Sequence, residues 1–215
     1  MVYNNVCKCK KWGDGMYISY MSIKNYRNFE SFEIELNPFS IIIGENDAGK
    51  SNLLEAMQLI LSNNSIDYFT KALKISDLNK KSLETFINKV SEKSAELLEA
   101  LKEKKDLKEF INIVPVVEVT LRFKEPKDAY EMALLDEWKN EDKGEIFYEL
   151  RYICEPNNYN DVLEYCANIA NELKEKAGIG YPIELYDYKV ISTNNNKKVD
   201  YKSMKNFMIS AIKAE

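Results

Sequence analysis

Histidine is absent from this chain of 215 residues. That removes imidazole acid–base catalysis, the Ser–His–Asp triad and every histidine-ligated metal site. Cysteine is scarce, with only Cys7, Cys9, Cys154 and Cys166. A structural zinc site takes about four ligands, whereas Cys7 and Cys9 stand alone in a lysine-rich leader and read as part of a solvated tail. No apolar run approaches the roughly 18 residues that cross a bilayer. The N-terminal "MVYNNVCKCKKWGDGM" has no apolar core behind its charge, so it is not a secretory signal, and the cytoplasm is the expected compartment. Positive charge is not in excess either. The net charge of −5 argues against coating nucleic acid by bulk electrostatics.

What remains has the 45% hydrophobic and 30% charged content of a globular protein, long enough for one sizeable core or one core and an appendage. Residues 1–15 lack periodicity and are expected to be a disordered leader. Organised sequence begins at Met16 and is read as one lobe, 16–215. "YISYMSIKNY" reads as a strand, and "FESFEIEL" alternates with Phe32, Ile34 and Leu36 on one face. Asn37-Pro38 is a turn signal. "FSIII" is a continuous apolar run of the kind expected in a strand buried on both faces. Beyond it, Leu53, Leu54, Met57, Ile60 and Leu61 keep helical spacing.

Residues 78–111 form a helical insertion dense in Lys and Glu, with Leu83, Phe86, Ile87, Val90, Leu97, Leu98 and Leu101 as its stripe. A hairpin packed on the sheet and a protruding arm fit it equally. "VVEVTLRFK" and "EIFYELRYI" alternate as strands and are expected to pair antiparallel, with Val117, Val119, Leu121 and Phe123 inward on the first and Ile146, Tyr148, Leu150 and Tyr152 on one face of the second. Asn160 to Ala177 is expected to be one helix ended by Gly178, with Cys166 a small core residue in its stripe. "IELYDYKVI" reads as a strand, "TNNNKK" as a turn and Val199 as the start of a partner strand. Met204, Phe207, Met208, Ala211 and Ile212 mark a last amphipathic helix that the chain leaves uncapped.

The most specific feature is Gly44-Glu45-Asn46-Asp47-Ala48-Gly49-Lys50-Ser51, which fits G-x-x-x-x-G-K-[ST], the Walker A pattern, at every fixed position. Each residue type has a reason. Gly44 and Gly49 let the backbone curl so that N–H groups point at phosphate oxygens. The following helix directs its positive end to the same place. Lys50 reaches the β- and γ-phosphates, and the Ser51 hydroxyl suits Mg2+, a cation that prefers oxygen ligands. The context is a strand-like run before and an amphipathic helix after, as a phosphate loop requires. Lys50 and Ser51 are therefore the candidate catalytic residues, with Ser51 on the metal, and ATP and Mg2+ the expected cofactors.

The stretch "ISYMSIKNYRNFESFEIELNPFSIIIGENDAGKSNLLEAM" resembles the N-terminal lobe of RecF/SMC-like ABC-type ATPases. The resemblance rests on Lys24-Asn25-Tyr26-Arg27-Asn28-Phe29, on Gly44, Asn46 and Gly49-Lys50-Ser51-Asn52, and on Leu53-Leu54-Glu55-Ala56. "GENDAGKSNLLEA" is most similar to the OLD-family ATPase–nucleases and their relatives in anti-phage defence. The resemblance implies an α/β P-loop NTPase fold with antiparallel strands beside a buried P-loop strand. It places Arg27 and Lys24 near the phosphates, and gives Asn46 and Asn52 supporting roles there. A plain helix-start role suits Asn52 equally.

The departures are as informative. A complete head of this family also needs an acidic Walker B strand and a signature motif, and OLD proteins carry a Toprim nuclease; none is evident here. Glu118, Glu149 and Glu184 lie within or at the edge of strands, in alternating patterns that suggest exposed faces. The chain therefore reads as an N-terminal half whose C-terminal half or companion chain completes it, leaving its own catalysis undecided. Three functions stay open: the ATP-binding lobe of a head that dimerises with nucleotide and processes DNA through the assembly, a non-catalytic nucleotide sensor, and a small-molecule kinase.

Overall fold

β1 (Ile18–Tyr26) and β2 (Phe29–Glu35) are an antiparallel hairpin whose loop is Arg27 and Asn28, with Tyr26 opposite Phe29. Arg27 takes φ +47°, the positive φ that lets a two-residue loop follow the twist of its strands. The computed structural model that describes this hairpin covers residues 16–44, 49–61, 72–142, 144–193 and 197–199. The expectations for the leader, for Glu45, Asn46, Asp47 and Ala48, and for the last helix from Met204 fall outside the described residues.

The remaining strands are β3 (Val117–Phe123), β4 (Lys139–Asp142), β5 (Glu145–Pro156), β6 (Tyr186–Ser192) and β7 (Lys197–Lys198). They extend the hairpin into one sheet of order β2-β1-β3-β5-β6-β7, with β4 also paired to β5. Every ladder is antiparallel, including β3 with β5 as the alternation implies. Met21, Ile23, Val119, Leu121, Leu150, Tyr152 and Val190 bury one face. The other face carries Ser22, Lys24, Glu118, Arg122, Arg151 and Lys189, so period-two patterning has put apolar and charged residues on opposite sides.

Helix α1 (Lys50–Leu61) packs on β3 and β5 through Leu53, Ala56, Met57, Ile60 and Leu61. Leu54, expected in that stripe, is 46% exposed. The stretch 78–111 holds three helices, α2 (Lys80–Glu92), α3 (Ser94–Lys102) and α4 (Lys108–Ile111). It is packed and does not protrude: Phe86 and Leu97 are fully buried against the helices that follow β5. Phe86 meets Tyr181 edge-on with ring centroids 5.8 Å apart. Asn79 starts α2 by accepting a hydrogen bond from the Ser82 N–H at 3.1 Å. With no glycine to stop α3, Lys104 adopts φ +56° and the Lys105 N–H returns to the Ala100 carbonyl at 2.9 Å.

α5 (Ala129–Leu135) lies between β3 and β4 and leads into Trp138, which is buried beside Phe123. The helix expected over 160–177 is broken at Ile169 into α6 (Tyr159–Asn168) and α7 (Ala170–Glu175). Gly178 follows at φ +86° and its N–H caps the Leu173 carbonyl at 2.8 Å. Cys166 is a buried core residue of α6, as its stripe implied. No helix of the described residues is long and apolar enough to cross a membrane.

Three further expectations need correction. "FSIII" is no strand: residues 40–44 have no ladder partner among the described residues. Phe39, Ile41 and Ile43 are 56%, 52% and 61% exposed, because no neighbouring strand covers them. "IELYDYKVI" opens as a 3-10 turn, Ile183–Leu185, before β6 begins. Glu149 points to the charged face of the sheet, yet its side chain is only 6% exposed, because Arg122 and Arg151 cover it.

Candidate functional site

The site is built where three segments meet: the β1–β2 loop, the start of α1, and the strap of residues 74–79 that leads into α2. Gly49 takes φ +94° immediately before Lys50 opens α1. A Cβ there would lie 2.3 Å from Asn28 Nδ2, so any other residue at 49 would have to push the Asn28 side chain aside. α1 runs 12 residues with no acidic residue in its first turn, which leaves its positive end unneutralised. Lys50 Nζ donates to the Gly44 carbonyl at 2.6 Å, turning its side chain back toward the residue that opens the pattern. Ser51 is exposed beside it.

Asn52, one residue on, is a two-way connector. Its Nδ2 donates to Asn28 Oδ1 at 2.8 Å, and its Oδ1 accepts from Arg27 Nη1 at 2.9 Å. Arg27 Nη1 also meets Glu55 Oε2 at 2.5 Å, and Arg27 Nε donates to Asp77 Oδ1 at 2.9 Å. The guanidinium carbon stands 5.1 Å from the centre of the Tyr26 ring. Burial opposes the Arg27 charge, but the hydrogen bond and charge of Asp77, the Tyr26 phenol beside it and the hydrogen bond of Glu55 outweigh it and raise its pKa above the ordinary value. Burial pushes the Tyr26 phenol up to about 12, against the pull of the Arg27 charge.

The strap holds this loop by its backbone as well. The Arg27 N–H donates to the Asp77 carbonyl at 2.8 Å, and the Asn79 N–H to the Asn25 carbonyl at 2.9 Å. Asn79 Nδ2 donates to the Arg27 carbonyl at 2.8 Å. Asn25, itself at φ +54°, receives the Ser82 hydroxyl at 2.6 Å and donates to the Val116 carbonyl at 2.9 Å. Two left-handed residues in one hairpin are thus offset by a dense set of hydrogen bonds.

Of the residues picked out by sequence, Gly44, Gly49, Lys50, Ser51, Asn52 and Arg27 come together here, while Glu45, Asn46, Asp47 and Ala48 lie outside the described residues. Lys24 does not join them. It is on the charged face of the sheet, opposite α1, with Nζ 3.9 Å from Glu118. Sequence patterning gave no role to Asp77, Asn79, Glu55 or Asn28. Only Asn79 carried a local signal, as a helix-capping residue before "KKSLETF". Asp77 carried none, because its partner is distant in sequence.

A mixed α/β domain with a Gly-Lys-Ser corner at the head of its first helix is a P-loop nucleoside-triphosphatase fold. The chain belongs to the family described as AAA ATPase domain, which matches residues 16–213. It is also similar to DNA replication and repair protein RecF of Geobacillus sp. (strain WCH70), 48% identical over 46 residues. The RecF proteins of Latilactobacillus sakei subsp. sakei (strain 23K) and Bacillus thuringiensis (strain Al Hakam) are 44% and 46% identical over the same length. Each match spans 21% of this chain and 12% of the relative, so the chain covers about one eighth of those proteins. The similarity to RecF is thus confined to one short stretch, while the family match runs through almost the whole chain.

Proposed function

We propose that this chain is the ATP–Mg2+ binding lobe of an OLD/RecF/SMC-like ATPase, in which nucleotide controls assembly of the head and the assembly acts on DNA, with anti-phage defence as the setting. The observation that carries the reading is the junction of Gly49, Lys50 and Ser51 with the unneutralised start of α1, to which Arg27 is tethered through Asn52. Backbone N–H groups of residues 44–51 would cradle the phosphates. Lys50 would leave the Gly44 carbonyl for a phosphate oxygen, a short movement for an ammonium on a flexible stem. Ser51 would offer its hydroxyl to Mg2+. Bound ATP supplies the γ-phosphoryl group, and the metal the charge that shields it.

Assembly has its own support. Phe39, Ile41 and Ile43 expose apolar side chains on a segment with no ladder partner among the described residues. Such a segment is suited to a strand from further polypeptide, a C-terminal half or a companion chain bearing the Walker B acids, the signature motif and a nuclease. DNA contact is assigned to the assembly because the chain's net charge is −5.

The test is thermal melting with Mg2+–ATP. At a hundredfold excess over Kd, binding to the folded state stabilises by about 2.7 kcal/mol. For a chain of this size that raises Tm by roughly 5–10 °C. Lys50→Ala should abolish the rise while melting like wild type without nucleotide. No rise in the wild-type chain would refute the reading.

A further inference from the structure

We propose that Asp77 is a positioning residue of the nucleotide site: it fixes the Arg27 guanidinium at the first turn of α1, so that nucleotide affinity depends on the strap that precedes α2. The inference rests on the nucleotide-binding function proposed above and adds to it a residue with no local sequence signature.

The two carboxylates that hold Arg27 are not equivalent. Asp77 is 15% exposed and Glu55 46%, with Arg27 at 29%. The Asp77 carboxylate is also committed on both sides, since Oδ1 takes Arg27 Nε and Oδ2 accepts the Lys74 N–H at 3.0 Å. It cannot follow Arg27 if the side chain moves. Glu55 stands on a solvent-facing turn of α1, where water screens the pair, and is free to let go. Asp77 is the fixed anchor and Glu55 the exchangeable partner.

A guanidinium is planar and rigid, so anchoring Nε sets the direction of both terminal nitrogens. Here Nη1 is turned to Asn52 and Glu55 on α1. Among the described residues no hydrogen bond uses Nη2. An anion arriving at the head of α1 would find an arginine already oriented, and would have to displace only the exposed Glu55. Without the Asp77 carboxylate, the same long side chain would have to be ordered by the ligand itself. The backbone bond from the Arg27 N–H to the Asp77 carbonyl does not involve the carboxylate, so the strap keeps that tie to the hairpin when the side chain is cut back.

The experiment is a Mg2+–ATP titration by calorimetry of the full chain as wild type, Asp77→Ala, Arg27→Ala, the double variant and Lys50→Ala. Asp77→Ala is expected to weaken binding about tenfold, and to have no further effect once Arg27 is alanine. A strap that merely stabilises the fold would weaken both backgrounds alike, and that additivity would overturn the proposal. An Asp77→Ala affinity within about twofold of wild type would overturn it too, leaving the nucleotide function intact if Lys50→Ala still abolishes binding. No binding by wild type would overturn both. Should Asp77→Ala fail to fold, Asp77→Asn keeps the side-chain volume, loses the charge and sets a donor against either Arg27 Nε or the Lys74 N–H. It should give a smaller loss that likewise vanishes in the Arg27→Ala background, and an additive loss would again overturn the proposal.

Discussion

Asn28 lies over Gly49, with its Nδ2 2.3 Å from the point a Cβ on residue 49 would occupy. Gly49→Ala therefore meets two penalties of different kinds. The Asn28 amide sits at the end of a flexible side chain and can move aside, at the cost of its 2.8 Å bond from Asn52. The φ of +94° cannot be relieved that way, and an L-residue held in this region costs about 1–2 kcal/mol. Gly49→Ala should lower Tm by roughly 2–8 °C and weaken the nucleotide-dependent rise. Adding Asn28→Gly removes the clash and leaves the backbone strain, so the double variant should stay destabilised. Full recovery of Tm in the double variant would show that the side-chain clash was the whole effect.

Glu149 shows how a charged position can be structural. Its Oε2 accepts from Arg122 Nε at 3.2 Å and Nη2 at 2.9 Å, while Arg151 approaches at 3.7 Å from the other side. Arg122 in turn lies between the rings of Tyr20 and Phe147, 5.1 and 4.6 Å from their centres. Glu149→Gln would leave two guanidinium groups facing each other without the anion. A fully buried pair loses about 3–5 kcal/mol when broken. Both arginines keep water contact here, so about 1–3 kcal/mol is expected in urea unfolding. The Mg2+–ATP shift should survive, because this face of the sheet is opposite α1. A variant that kept its stability but lost the shift would place Glu149 in the site instead.

Alternation made β1, β2, β3 and β5 legible, because Ile23, Val119 and Tyr152 each belong to a face that the pleat alone defines. The helix that opens at Lys50 behind Gly49 was legible for a different reason, since the G-x-x-x-x-G-K-[ST] pattern calls for a helix directly after it. "FSIII" was misread because a continuous apolar run describes what a strand needs on both sides, not whether a neighbour supplies it. The helix breaks at Lys93 and Ile169 carry no glycine or proline, the residues that mark a break in sequence. Asp77 stayed hidden since a single polar residue has no period, and its contact with Arg27 exists only once the strap crosses the hairpin. Glu149 alternates outward as expected, but two arginines bury it.

The interior thiols predict how the fold responds to alkali. Burial pushes Cys154 up to about 11 and Cys166 up to about 12, and it pushes Tyr159 up to about 12. In each case the folded pKa lies above the unfolded one, so the fold favours the protonated form. That stability is whole below the ordinary thiol value near 9 and is lost as pH rises toward 12. Unfolding free energy should hold to about pH 9 and then fall. The thiolate is the reactive species, so in a Cys7→Ser/Cys9→Ser background Ellman's reagent at pH 8 should label neither thiol until urea unfolds the chain. Rapid labelling of the native protein would contradict this burial.

Ile41, Ile42 and Ile43 are the same residue in three different positions, which makes them a test of the uncovered segment. Ile42 packs partly against the core, whereas its neighbours are 52% and 61% exposed. Losing partly buried methylenes costs about 0.8 kcal/mol each when burial is complete, so Ile42→Ser should destabilise by about 1–2 kcal/mol. Ile41→Ser and Ile43→Ser should each stay within about 0.5 kcal/mol of wild type. Their effect should appear in association, because they remove apolar surface from an unpaired edge. Light scattering at rising concentration should show less association for the Ile41→Ser/Ile43→Ser pair than for wild type. Equal destabilisation at all three positions would mean that the segment is covered on both faces in solution, as its composition first suggested.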